Sequence, residues 1–360
     1  MEVFFNMYKI KFDILNKFIL NTEIDLSKDN YVYINLEPVL RRIIHSNIDN
    51  DLRIKKEERI LEFISYVFNL ASHYRLYFAS KKTYCKLYLY MGYPFDVSYI
   101  NNDVYTVYRQ NYKDLFGNGV NIGLRTIIEE SIELLKTILE YIDGVYMIES
   151  GNIEPSLIPL IIDNHNDSKC KNNFIITTDK YDYQYCLKDY YVLRPKQNHS
   201  YILYKGNIIN QMMIEDKMIP EKYNINYNII PFALSILGND IRSLPKIKGM
   251  GFKTIIKGIQ KGVDVGLISD KVNNIFILSK ILKEEVQEQV FQNYICTDLD
   301  TQYKKIKEVE KYNIINQLND KFDNKELKEL NDNYFIYTPL NLMEILSACK
   351  YKKVKKIKLF

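Results

Sequence analysis

The run YVYINL at 31–36 is dense in β-branched and aromatic side chains, and a segment with helical spacing follows it. That alternation, repeated to about residue 200, is the feature that most narrows what the chain can fold into. CKLYLYM (85–91), VYMIES (145–150) and NFIITTD (173–179) read as further strands. Between them, residues 54–80 place Ile60, Leu61, Ile64, Val67, Phe68 and Ala71 on one helical face. Residues 124–142 form a second amphipathic pattern, stopped at Asp143-Gly144. Strand, helix, strand in this rhythm predicts a parallel α/β sheet. YYVLRP and YILYKG read as short strands of a hairpin, and Pro159 is expected to break or bend any helix in EPSLIPLII.

From Pro231 the character changes. PFALSILGN, TIIKGIQKG and the segments 268–295 and 302–321 all carry helical patterns. The expected organisation is an N-terminal extension (1–30), an α/β domain (31–210), a helical subdomain (211–345) and a basic tail (346–360).

At 360 residues the chain can bury a sizeable core. Its net charge of +4 is too small to announce a polyanion partner, but the distribution is uneven. Lys246, Lys248, Lys253, Lys257 and Lys261 cluster, and the stretch from Lys350 to Phe360 carries six lysines and no acid. Five scattered cysteines without CxxC spacing argue against a disulfide framework or a structural zinc site. No apolar run suits a membrane span and the first residues lack a signal-peptide pattern, so a reducing cytoplasm is the expected setting. Excess Asn, Ile, Lys and Tyr fits an AT-rich coding sequence and a phage or viral origin.

The stretch PKIKGMGFKT (245–254) carries the clearest chemistry. Gly249 and Gly251 permit backbone angles that other residues resist, and Met250 between them anchors the turn inward. A helix starting near Phe252 would direct its first amides at the same spot, a phosphate site without side-chain readout. Lys246, Lys248 and Lys253 add charge that strengthens phosphate binding without reading sequence. Taken alone, a GxG turn between helices is also an ordinary structural connection.

With its flanks, LGNDIRSLPKIKGMGFKT (237–254) resembles the helix–three-turn–helix of the flap endonuclease and 5′–3′ exonuclease family. Other landmarks follow in collinear order over roughly residues 31–265. YVYINLEPVLRR and KLYLYMG resemble the family's first two strands, and VYRQNY (107–112) its arch base, with Arg109 at the family's lysine. IESGNIEPSLIPLI stands where the family carries Glu-Ala-Asp-Asp, and FIITTDKYDYQYCL resembles its Thr-Gly-Asp strand end, with Gln184 following. The resemblance implies a PIN-like α/β domain with an arch-like segment at 98–123, then a helix–three-turn–helix subdomain. It implies DNA contact through Lys246, Lys248, Gly249, Met250, Gly251, Lys253, Thr254 and Arg109, with branched or 5′-ended DNA as partner and K⁺ at the turn.

The family's chemistry needs two divalent metals about 4 Å apart, held by carboxylates. Here Asn35, Met91, Ser156, Leu157, Asn239 and Arg242 stand at expected acidic positions. Glu154 and Asp179 are retained, and Asp182 lies one step beyond the second acid's place, which Tyr181 fills. Slips of alignment would instead enlist Glu37, Asp96, Asp182 or Asp240. Arg242 would bring a fixed positive charge toward the cations.

The leading expectation is therefore a catalytically degenerate, DNA-gripping relative of these nucleases that needs no cofactor and serves phage or viral replication, repair or packaging. The alternatives are a divergent 5′ nuclease using Mg²⁺ or Mn²⁺ through Glu154, Asp179 and Asp182, and a virion or assembly protein reusing the fold. Tyr105, Tyr108 and Tyr112 beside Arg109 are candidates for base stacking. Leu359 and Phe360, ending a basic tail, resemble a sliding-clamp-binding terminus.

Overall fold

The computed structural model describes residues 24–25, 27–36, 83, 85–92, 130–136, 139, 144–151, 153–166, 171–177, 179–188, 190–195, 200–203, 230–238, 244–264 and 279–318. Ile64, Val67, Ala71, Tyr74 and Phe78 are also described. The α/β class expected from the strand–helix alternation is the class observed. Among the described residues, six strands form one sheet: β1 (Asp29–Asn35), β2 (Cys85–Met91), β3 (Val145–Glu149), β4 (Lys171–Ile176), β5 (Tyr190–Pro195) and β6 (Ser200–Leu203). Their order is β3-β2-β1-β4-β5-β6. The first five are parallel, and β6 returns antiparallel on β5 as the expected hairpin.

Both faces of the sheet are covered, as a parallel sheet requires. The registers put Tyr31, Tyr33, Tyr88, Tyr146 and Tyr190 on one face. Tyr33 stacks on Tyr88 at 5.0 Å between ring centroids, and Tyr88 on Tyr146 at 5.2 Å. Helix α1 (Ile158–His165) packs in the same core, where the Tyr190 hydroxyl donates to the Pro159 carbonyl at 3.3 Å. On the other face, Phe78 meets Phe174 edge to face at 5.4 Å. Phe78 ends a row of buried helical positions, Ile64, Val67, Ala71 and Tyr74, spaced three and four apart.

Pro159 does not break its helix. A 3₁₀ turn at Pro155–Leu157 leads directly into α1, which places Pro159 in the first helical turn, where its missing N–H removes no ladder bond. After β4 the chain forms a 3₁₀ helix over Lys180–Lys188, preceded by Asp179, whose side chain accepts from the Tyr181 amide.

The later chain is helical, in shorter pieces than the pattern suggests: α2 (Ile230–Leu237), α3 (Phe252–Asp264), α4 (Glu284–Thr297), α5 (Leu299–Lys305) and α6 (Glu308–Asn316). The expected helix at 302–321 is divided at Ile306-Lys307, where extended backbone starts α6. Asp298 separates α4 from α5 and caps the latter, its carboxylate accepting from the Thr301 amide at 2.8 Å. One apolar cluster runs unbroken from Tyr31 in the sheet to Ile315 in α6. The domain boundary expected at 210–211 lies outside the described residues.

Gln317, just past α6, pairs with the end of edge strand β3. Its Nε2 donates to the Glu149 carbonyl at 3.0 Å and its Oε1 accepts from the Glu149 amide at 2.9 Å. A side-chain amide thus stands in for a neighbouring strand at the edge of the described sheet. Among the described residues no helix is long and apolar enough to cross a membrane.

Candidate functional site

Two loci matter: the C-terminal ends of the central strands, and the glycine turn before α3. In the order β3-β2-β1-β4 the chain moves outward one way from β1 and then returns to its other side. That reversal makes a crevice beyond the strand ends, where open α/β sheets place ligands. Most of the retained or replaced acids predicted from sequence gather here. Asn35 ends β1, Met91 ends β2, Glu154 follows β3, and Asp179 follows β4.

All of them are buried. Glu154 is 3% exposed and Asp182 0%. Ser156 and Leu157 lie inside the 3₁₀ turn that starts at Pro155, and Pro155 closes over the end of β2. A Cβ on Gly92 would sit 2.5 Å from the Pro155 Cγ, so only glycine fits beneath it.

The acids after β4 are bound into the local backbone. Asp179 Oδ1 accepts from the Tyr181 amide at 3.0 Å, which caps the 3₁₀ helix. The Thr177 hydroxyl accepts from the Asp179 amide at 3.0 Å and donates to Asp182 Oδ2 at 2.6 Å. Thr177 thus ties both aspartates to one strand end. Burial pushes the Cys296 thiol of α4 up to about 12; Lys305 opposes this shift and Glu154 adds to it. The end of α4 and the start of α5 stand against the 3₁₀ helix that follows β4, where the Gln184 side chain bonds both.

Two divalent ions need several ionised oxygen donors at one place. Among the described residues no three of His, Cys, Asp and Glu come together as metal ligands. Asp179 Oδ1 already accepts from the Tyr181 amide and Asp182 Oδ2 from the Thr177 hydroxyl. Glu37, Asp96, Asn239, Asp240 and Arg242 lie outside the described residues, as do Arg109, the whole segment 98–123 with its tyrosines, and Leu359 and Phe360.

The glycine turn is built from α2. Gly238 ends that helix at φ +67, its amide donating to the Leu234 carbonyl at 3.0 Å. A Cβ there would lie 2.5 Å from the Leu244 carbonyl oxygen and 2.8 Å from the Lys246 nitrogen. The returning chain therefore passes directly over the helix end. The Ile247 amide donates to the Ile236 carbonyl at 2.9 Å and the Met250 amide to the Ile247 carbonyl at 3.2 Å. Ile247 is buried, Met250 packs half-buried on the core, and Gly249 turns the chain at φ +76. The expected inward anchoring of Met250 is what this packing provides.

Helix α3 starts at Phe252, and its first bonds run from the Thr254 and Ile255 amides to the Gly251 carbonyl at 2.9 and 3.1 Å. Lys246, Lys248, Lys253, Lys257 and Lys261 are all exposed, and Thr254 is exposed beside them. Buried Ile255, Ile256 and Ile259 hold the opposite face of the helix on the core. The result is a glycine turn and a helix start flanked by five solvated lysines with no aromatic or acidic side chain among the exposed residues described at 246–261.

Two buried amides hold these loci; the family resemblance marks Gln184, whereas Asn293 carries little signal in sequence. Asn293, in α4, donates from Nδ2 to the Ser235 carbonyl at 2.7 Å and to the Pro245 carbonyl at 2.9 Å. Gln184 bridges the 3₁₀ helix to the junction of α4 and α5. The sole hint for Asn293 is its place on the buried face of α4, three residues from Val290 and four from Thr297.

The sheet order and the crevice define an open, doubly wound α/β protein with a helical addition. No family model matches the chain, and no curated protein matches it in sequence. Among solved structures it is similar to bacteriophage T5 flap endonuclease in a pseudo-enzyme–product complex with DNA and metal ions. That pair shares 12% identity over 88% of this chain and 99% of that one, with a TM-score of 0.45. It is also similar to T5 5′-exonuclease with bound zinc, at 12% identity over 89% of this chain and 100% of that one, with a TM-score of 0.46.

Proposed function

We propose that the protein grips the phosphate backbone of DNA through the turn Lys246–Thr254 and acts as a catalytically degenerate member of the flap endonuclease class. The observation that carries this reading is the exposed lysine set around a glycine turn that opens α3. Unpaired helix-start amides and ammonium groups bind phosphate without reading bases, so the grip follows nucleic-acid shape. The sheet order and the strand-end position of Asn35, Met91, Glu154 and Asp179 support a PIN-like ancestry. The setting we infer is phage or viral replication, repair or packaging in a host cytoplasm, in keeping with the Asn-, Ile-, Lys- and Tyr-rich composition.

The test is binding to a 5′-flap DNA over a salt series. Wild type should show a steep fall of affinity with salt, and the double variant Lys248→Glu, Lys253→Glu should lower that slope by about two. An unchanged affinity in the double variant removes the phosphate-turn assignment. Absence of salt-dependent binding in wild type favours a virion or assembly role instead.

A second reading, a divergent Mg²⁺- or Mn²⁺-dependent 5′ nuclease, is favoured by one observation: Glu154, Asp179 and Asp182 all follow the C-terminal ends of parallel strands, β3 and β4. Reproducible Mn²⁺-dependent cleavage that disappears in Asp179→Ala would establish it and displace the degenerate reading.

A further inference from the structure

We propose that Asn293 is a positioning residue for the glycine turn, presenting its lysines to phosphate without touching the ligand. The inference rests on the DNA-binding reading above and adds a residue that no motif marks. Asn293 is fully buried in the middle of α4. Both protons of its amide are spent on backbone carbonyls that belong to other segments, Ser235 in α2 and Pro245 at the base of the turn. Its Oδ1 has no hydrogen-bond partner among the described residues. A buried amide kept at that cost does something an apolar side chain of similar size would not.

What it does follows from the geometry. Residues 239–243 separate α2 from the turn in sequence, and Asn293 closes that gap in space by holding Ser235 and Pro245 to one donor. Pro245 immediately precedes Lys246, and the Ile247 amide is bonded back to Ile236. The turn is thus tied to α2 at two neighbouring carbonyl and amide groups, with Lys246 and Lys248 alternating outward from the tied positions. One turn further along α4, the Thr297 hydroxyl donates to the Asn293 carbonyl at 2.5 Å, and the Thr297 carbonyl accepts from Gln184 at 2.9 Å. Gln184 gives an internal comparison: a buried amide in the 3₁₀ helix after β4 that reaches the end of the same α4 with three bonds to Asn293's two, and braces the strand ends and not the turn.

The experiment compares Asn293→Ala with Gln184→Ala by melting temperature, by DNA affinity over a salt series, and by amide exchange across 244–250. Both variants should melt lower. Only Asn293→Ala should lose affinity for a 5′-flap DNA, by about tenfold, with a salt slope about one unit shallower. Only Asn293→Ala should speed exchange at the Ile247 and Met250 amides. Asn293→Ser, which keeps one donor, should fall between it and wild type and serves if the alanine variant does not fold. The proposal is overturned if an Asn293 variant keeps the wild-type slope and turn protection while melting lower, or if Gln184→Ala changes them equally. Failure of wild type to bind DNA would sink the functional reading, whereas the exchange data would still decide what Asn293 holds.

Discussion

The carboxamide of Gln184 closes on Thr297. Its Nε2 donates to the Thr297 carbonyl at 2.9 Å and to the Tyr181 carbonyl at 3.1 Å, while its Oε1 accepts from the Leu299 amide at 3.3 Å. One buried side chain thus satisfies the 3₁₀ helix after β4, the last turn of α4 and the first amide of α5. Gln184→Ala would leave three backbone groups without these bonds, and the expected cost is about 2–4 kcal/mol. Urea denaturation followed by circular dichroism checks it. A loss below about 0.5 kcal/mol would mean that water replaces the amide and that the joint is not dry.

Two glycines with similar backbone angles should respond differently to alanine. Gly238 and Gly249 have φ of +67 and +76, but only Gly238 faces backbone atoms closer than 3 Å, whereas a Cβ on Gly249 meets nothing within 4 Å. Gly249→Ala should cost about 1 kcal/mol, the left-handed penalty alone. Gly238→Ala adds a clash with the rigid Leu244 carbonyl and should cost about 3 kcal/mol or more. Equal losses in a denaturant titration would mean that the returning loop yields.

Asp179 is a cap by its geometry, accepting from the Tyr181 amide. Asp179→Ala should therefore lower stability by about 1 kcal/mol. The same variant separates a cap from a metal ligand when melting curves are repeated with Mg²⁺ or Mn²⁺. A cap predicts no ion-dependent rise in wild type. A rise that Asp179→Ala abolishes would place an ion at the strand ends.

The buried tyrosines predict an alkaline limit. Burial raises the hydroxyls of Tyr33, Tyr185 and Tyr190 well above their ordinary value, and that of Tyr74 as well. The folded state therefore holds protons that the unfolded chain releases near pH 10. The sign is fixed: stability from these groups is fully present below about pH 10 and falls as pH rises past it, by about 1.4 kcal/mol per unit for each. Spectrophotometric titration should show these tyrosines ionising together with unfolding. Ionisation at ordinary pH in a folded protein would contradict their burial.

How much of this could be read from the chain alone differs by element. The strands were legible because β-branched and aromatic runs have one geometry that suits them, and the turn at Gly249 because its conformation favours glycine. Pro159 misled, because a proline breaks a helix only past its first turn, and where α1 begins depends on the 3₁₀ turn before it. The boundaries within 268–321 were lost for a related reason, since capping by Asp298 and the extended break at Ile306-Lys307 interrupt a pattern that apolar spacing alone would continue.

Local features were written in the chain: which segments extend or coil, and where glycine is required. What each side chain meets was settled by packing. Asp179 and Asp182 are drawn into Thr177 and the backbone, Pro155 closes over Gly92, and Asn293 reaches across from α4 to hold a turn 48 positions away in sequence. Chain periodicity reports a side chain's own face and carries no record of the distant carbonyl that will accept its proton, because that partner is chosen by packing across the whole core.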